Sequence, residues 1–200
     1  MAVFIVFEGG DGAGKSTQVR ALKQRFQRHG LPVAATREPG GTPLGEQLRR
    51  CLKGSTSPSP MAELLLFSAA RAQLVAEVIQ PALSKGINVL CDRFTASTVA
   101  YQGYGRGLDM ALIHSLNAAA TSGLTPQLTI LLDLPVEVAR QRKESPGDSI
   151  EAAPGEFHQR VRRGYLAQAA AAPGSWLVLD GARPKRQLSQ EIWQKIQPLL

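Results

Sequence analysis

"EGGDGAGKST", residues Glu8–Thr17, follows the short apolar run Val3–Phe7 and opens a stretch with helical spacing at Val19, Leu22 and Phe26. Gly9, Gly14, Lys15 and Ser16 occupy the fixed positions of G-x-x-x-x-G-K-[ST], a spacing whose backbone N–H groups cradle phosphates. A strand before it and a helix after it put the loop at a helix N-terminus, where unsatisfied N–H groups and the macrodipole favour anions. Gly9, Gly10, Asp11, Gly12, Ala13, Gly14, Lys15, Ser16 and Thr17 thus read as the cradle of a nucleoside triphosphate. Lys15 is expected on its β- and γ-phosphates and Ser16 on Mg2+. Asp11 is out of place there, because a carboxylate aimed at the triphosphate would repel it. It must face something else.

The rest of the chain repeats the alternation. Val33–Thr36, Ile87–Cys91, Leu128–Leu132 and Trp176–Leu179 are further short apolar runs, and helical repeats lie between them at Leu44, Leu48 and Leu52 and at Leu64, Phe67, Leu74 and Val78. Apolar strands separated by amphipathic helices predict a five-stranded parallel sheet covered on both faces. No internal repeat or long linker divides the 200 residues, which read as a single domain, 1–200. Two segments interrupt the rhythm: "KGSTSPSP" (Lys53–Pro60) and "ESPGDSIEAAPGEF" (Glu144–Phe157). The second, rich in Pro and Gly, is either a surface loop or a mobile lid over about 140–157.

With 44% hydrophobic and 20% charged residues, the composition is that of an ordinary globular chain. A net charge of +7 calls for anionic partners, and arginines scattered along the chain favour small phosphorylated ligands over nucleic acid. Cys51 and Cys91 are too few and too far apart for a zinc knuckle or a disulfide framework. The N-terminal run lacks a basic n-region, and nothing approaches the ~18 apolar residues of a membrane span. The expectation is a cytoplasmic protein with no membrane partner.

Other clusters carry charge to the carboxyl ends of the expected strands, where ligands bind in open parallel sheets. "TREPGGT" (Thr36–Thr42) brings Arg37, and "CDRFTASTVAYQGYGRG" (Cys91–Gly107) brings Asp92, suited to the magnesium side, and Arg93, suited to clamp a phosphate. Three such loops are more than one triphosphate needs, so Arg37 and Arg93 suggest a second phosphorylated ligand. In "LLLFSAARAQ", Phe67 and Arg71 are four residues apart on one helix face, an aromatic and a donor suited to a nucleobase. Taken alone, Phe67 reads rather as core and Arg71 as a solvated charge.

The order of "FEGGDGAGKST", "REPGGT", "LLLFSAARAQ", "CDRFTASTVAYQGYGRG" and "LLDLP", from about residue 3 to 135, with "VLDG" near 180, resembles the bacterial type of thymidylate kinase. The resemblance implies a P-loop NTPase-type three-layer sandwich, a homodimer through helix faces containing Leu64–Val78 and Met110–Leu116, and transfer of the γ-phosphoryl of MgATP to dTMP. By position it puts Asp11 near the 3′-hydroxyl of dTMP, Phe67 on thymine, Arg71 on O4, Thr98 at N3, Tyr101 against C2′, and Ser97 and Gln102 in the acceptor pocket. Arg37 and Arg93 would hold the acceptor phosphate, with Ser16 and Asp92 toward the metal. Lys15, Arg93, Arg142 and Asp11 form the implied catalytic set.

Because the acceptor is itself a phosphate, mostly dianionic at pH 7, no general base is needed. His29, His114 and His158 accordingly lie outside every motif. Gly12 and Ala13 leave no arginine in the phosphate loop, so that, as in many bacterial members, the charge must come from the lid. There the chain departs from the family: "DSIE" has Ser149 where arginine is usual, although Glu151 keeps its acid. Transition-state charge is then expected from Arg142, helped by Lys143. Gly164, within "RVRRGYL", weakens its helix by roughly 1 kcal/mol relative to alanine. The competing readings are a kinase for another nucleoside monophosphate or a deoxynucleoside, and a P-loop module that binds ATP without turnover.

Overall fold

The computed structural model describes residues 2–54, 58–142, 150 and 152–200. Within them, parallel strands β1 (Phe4–Glu8), β2 (Val33–Arg37), β3 (Asn88–Asp92), β4 (Leu128–Asp133) and β5 (Trp176–Asp180) form one sheet in the order β2-β3-β1-β4-β5. The helices are α1 (Lys15–Arg28), α2 (Pro43–Lys53), α3 (Pro60–Leu74), α4 (Gln80–Ser84), α5 (Thr95–Thr98), α6 (Met110–Thr121), α7 (Val136–Gln141), α8 (Gly155–Ala171) and α9 (Lys185–Ile196).

β1 is buried along its whole length, and the strand's two-residue period sends its side chains to opposite layers. Ile5 and Phe7 pack with Val19, Leu22 and Phe26 of α1 and Leu188, Ile192 and Trp193 of α9. Phe4 and Val6 pack with Leu74, Val75 and Ile79 on the other face. There Leu131 of β4 also meets Phe157, Val161 and Tyr165 of α8. The expected three-layer sandwich is the fold.

Every strand continues one residue beyond its apolar run, to Glu8, Arg37, Asp92, Asp133 and Asp180. The apolar run stops there, but the ladder runs on: Asp92 pairs with both Phe7 and Arg37, and Asp133 with Asp180. The charged residue that closes each strand therefore sits on rigid backbone at the sheet edge. β1 and β3 also begin one residue later than expected.

The repeat from Leu64 to Val78 is not one α-helix. A wider π-type turn, Val75–Ile79, separates α3 from α4, just before Pro81, which lacks an N–H and would clash with a regular preceding turn. Leu44, expected on a buried face, stays 42% exposed. Thr42, Ser59 and Asp109 cap α2, α3 and α6 by accepting N–H bonds from their first turns. Gly164 has a reason the sequence did not disclose. A Cβ there would lie 2.8 Å from Cγ and Cδ2 of Tyr104, so only glycine lets α8 lie this close to the π-type turn Val99–Gly105. Of the segment 140–157, α7 claims 140–141 and α8 claims 155–157. Lys143, Ser149 and Glu151 fall outside the described residues.

Candidate active site

The loop after β1 closes tightly against β4. Gly9 has φ +135°, and a Cβ there would come 2.4 Å from the Leu132 carbonyl oxygen. The Lys15 ammonium folds back along the loop and donates to the Gly9 and Gly10 carbonyls at 3.0 and 2.8 Å. Burial, with Arg93 nearby, lowers its pKa to about 8 against the pull of Asp11, Asp92 and Glu8. Next to it, Ser16 Oγ donates to Asp92 Oδ2 at 2.5 Å, which joins the helix start to the end of β3.

Arg93 follows β3 in a left-handed backbone conformation, φ +73°, that non-glycine residues seldom adopt. Its guanidinium donates to Asp11 Oδ1 at 2.6 Å, to Gly9 O and the Tyr165 hydroxyl at 3.0 Å, to Ser97 Oγ at 3.2 Å and to the Tyr101 hydroxyl at 3.3 Å. Burial opposes its charge, but Tyr101, Asp11, Tyr165 and Glu8 outweigh that and hold its pKa well above the ordinary arginine value. Asp11, the carboxylate in the anion loop, therefore faces Arg93, with the Tyr101 hydroxyl donating to its other oxygen at 3.3 Å. Beneath them Glu8, fully buried, accepts from the Phe94 and Ser97 amides, from Ser97 Oγ at 2.6 Å and from the Tyr165 hydroxyl at 3.0 Å. Burial raises its pKa, while Arg93 and these donors pull it back.

A cavity of about 420 Å³ opens from this cluster. Asp11, Lys15, Ser16, Arg37, Phe67, Arg71, Asp92, Arg93, Ser97, Thr98, Tyr101 and Gln102 all line it, so residues expected on four separate segments converge on one space. Arg71 is not the solvated charge it resembled in isolation. It is 1% exposed and makes a forked bond to Glu38, with Nη2 at 2.6 Å and Nε at 2.9 Å from Oε2. Gln102 is also buried and donates to Glu63 Oε1 at 2.7 Å. Arg37 lies on the outer rim, paired with Glu46 at 3.0 Å. Arg142 does not line the cavity; it donates to the Gly181 carbonyl at 3.0 Å, on the β5 side. His29, His114 and His158 also stand away from it.

Sequence reasoning missed the residues that hold the others. Glu8 and Glu38 were inside quoted motifs but carried no role, and their neighbours gave no sign that the carboxylates turn inward. Glu63, Asn117 and Tyr165 sit within ordinary helical patterns, where nothing local distinguishes a buried polar partner from a solvated one.

The family model described as Thymidylate kinase matches residues 7–192. A thymidylate kinase from Deinococcus radiodurans is 49% identical over 97% of this chain and 96% of its own length. One from Synechococcus is 50% identical over 99% of this chain and 97% of its own length. The crystal structure of thymidylate kinase from Ehrlichia chaffeensis superposes with a TM-score of 0.83 at 33% identity, covering 98% of this chain and 99% of that one.

Proposed function

We infer the working of this site from one premise: the chain belongs to the thymidylate kinase family, and its reaction is transfer of the γ-phosphoryl group of ATP to dTMP, giving dTDP. The observation that carries the reading is Arg93, which touches both the phosphate loop at Gly9 and the acceptor cavity.

In this reading ATP lies along Gly9–Thr17 with Lys15 exchanging its two carbonyl partners for phosphate oxygens. dTMP occupies the 420 Å³ cavity, its phosphate held by Arg93 and approached by Arg37 from the rim. Phe67 stacks on thymine, Arg71 donates to O4, Thr98 and Gln102 meet the N3 edge, and Tyr101 closes the space a 2′-hydroxyl would need. Asp11 turns from Arg93 toward the sugar 3′-hydroxyl. A dianionic acceptor oxygen is already a nucleophile, so alignment and neutralisation of charge carry the rate.

The hydroxyl of Ser16 and the carboxylate of Asp92 are hard oxygen donors 2.5 Å apart beside Lys15, a pair that suits Mg2+ completing its shell with water and phosphate. When bound, the ion would neutralise charge on the triphosphate. Arg142 is the proposed source of further transition-state charge, which requires it to leave Gly181.

The chain is proposed to act as one domain in the cytoplasm, as a homodimer, without nucleic acid. The dimer reading is supported by Met61 and Leu65 on α3 and Leu112 on α6, exposed apolar side chains on two helices that pack together. Among the described residues, no helix is long and apolar enough to cross a membrane.

The deciding experiment is steady-state transfer from MgATP to dTMP, dUMP, dCMP, dGMP and thymidine, with wild type beside Arg142→Ala. Turnover of dTMP above the others, collapsing in the variant, supports the whole reading. Unchanged turnover in the variant removes Arg142 from the catalytic set. A different preferred acceptor refutes the pocket assignment.

A further inference from the structure

The base end of the cavity rests on two buried carboxylates that the reaction itself does not require, Glu38 and Glu63, 6% and 1% exposed. Each is bonded to a polar side chain that lines the cavity. Arg71 has five N–H donors in a rigid fork. Nε–H and Nη2 reach Glu38 and the Phe94 carbonyl, and Nη1 reaches Asn117 Oδ1 at 2.7 Å. One Nη1 N–H is left with no acceptor among the described residues. The guanidinium is thus pinned on three sides, by the end of β2, by α6 and by the turn after β3.

Gln102 is held in the opposite sense. Glu63 accepts from Gln102 Nε2 at 2.7 Å and from Arg106 at 2.8 Å. A carboxylate paired with a guanidinium only accepts, so the amide nitrogen of Gln102 must face Glu63 and its carbonyl oxygen must turn away. No donor among the described residues takes that oxygen.

We propose that Glu38 and Glu63 are positioning residues that set base specificity, Glu38 by fixing Arg71 as a donor and Glu63 by fixing Gln102 as an acceptor. The proposal rests on the reading of this end of the cavity as the base pocket. A 4-oxo, 3-N–H pyrimidine presents an acceptor beside a donor and satisfies the pair. A 4-amino pyrimidine of the same outline presents the reverse, setting N–H against N–H and lone pair against lone pair. Shape cannot separate such isosteres, whereas a buried site built for one hydrogen-bonding edge rejects the other strongly, because its own groups are left unpaired.

The test compares dTMP with 5-methyl-dCMP, which differ only along that edge, by calorimetric titration of wild type, Glu38→Gln, Glu63→Gln and Asn117→Ala. Each variant is expected to lower the affinity ratio of dTMP over 5-methyl-dCMP at least tenfold while leaving the Kd for ATP unchanged. In Glu63→Gln the Gln102 amide is free to turn over, so 5-methyl-dCMP should bind tighter than to wild type. An unchanged ratio, or parallel losses for both ligands, would overturn the proposal and leave the carboxylates a role in folding only. Arg71→Ala and Gln102→Ala separate the two levels. If they too leave the ratio unaltered, the base-pocket reading itself fails; if they collapse it while the carboxylate variants do not, the positioning proposal fails alone. Thermal unfolding checks each variant, and should Glu38→Gln not fold, Glu63→Gln and Asn117→Ala decide.

Discussion

Arg93 and Arg71 both line the substrate cavity and both grip a carboxylate, yet they are held in contrasting ways. Arg93 divides its bonds among one carboxylate, three hydroxyls and a carbonyl, on a backbone turned to φ +73°, with its side chain 15% exposed. Arg71 gives most of its fork to a single buried carboxylate and is 1% exposed. Partners divided in this way can be exchanged one by one for an incoming phosphate, and in the proposed arrangement Asp11 turns to the acceptor's sugar. A buried forked pair is not exchanged, because separating it strands a charge away from water. On the proposed reading, the difference separates a group that takes hold of a moving charge from one that stays fixed to read a flat edge.

The contrast is broken most directly by truncation. Arg93→Ala is expected to lower kcat/KM for dTMP by about a thousandfold or more, largely in kcat, since in the proposed arrangement its charge faces the transferring group. Arg71→Ala should lose about ten- to a hundredfold, largely in KM for dTMP. Steady-state kinetics with both substrates varied measures the split, and equal losses in kcat would erase the distinction.

Titration sharpens it. Burial pushes the Glu38 carboxyl up to about 7, against the pull of Arg71 and with Glu8 adding to the rise; its own charge in turn helps push the Cys91 thiol up. Arg93 stays charged throughout. Between pH 6 and 8, KM for dTMP should therefore fall several-fold as Glu38 ionises and fixes Arg71. Ionisation of dTMP itself near pH 6 adds a separate term, which Glu38→Gln retains while losing the step near 7. Folding has the opposite sign. The folded state holds this proton more tightly than the unfolded chain does, so the contribution of Glu38 to stability declines as pH rises from about 4.5 to about 7. Denaturation across that range, wild type against Glu38→Gln, reads it.

The smallest expected effect concerns the support of Arg93. Gly164 precedes Tyr165, whose hydroxyl Arg93 uses. Gly164→Ala gains about 1 kcal/mol of helix propensity but drives a methyl group into the Tyr104 ring, for a net loss of about 1–2 kcal/mol in thermal unfolding. KM for dTMP should rise about two- to threefold and KM for ATP should not change.

The sheet was legible to within a residue or two, because periods of two and of three to four residues in Val, Ile, Leu and Phe report burial directly. That each strand runs one residue further, to Glu8, Arg37, Asp92, Asp133 and Asp180, was not, because a hydropathy pattern stops where the core stops. Arg37, Phe67, Arg71, Arg93 and Gln102 were legible as cavity residues through their motifs. That Arg71 is pinned by Glu38 and Asn117 was not, since the contact joins positions 33 and 46 residues away in the chain. Gly164 looked like a helix flaw because its neighbour Tyr104 comes from another element.

Lys15 bonded to its own loop has a calorimetric consequence. With a pKa of about 8, a fraction of the free enzyme carries a neutral amine at that position at mildly alkaline pH. A polyphosphate arriving there restores the full ammonium, so nucleotide binding draws protons from the solution. Near pH 8 the apparent binding enthalpy then varies with the ionisation heat of the buffer, and a plot of one against the other counts the protons taken up.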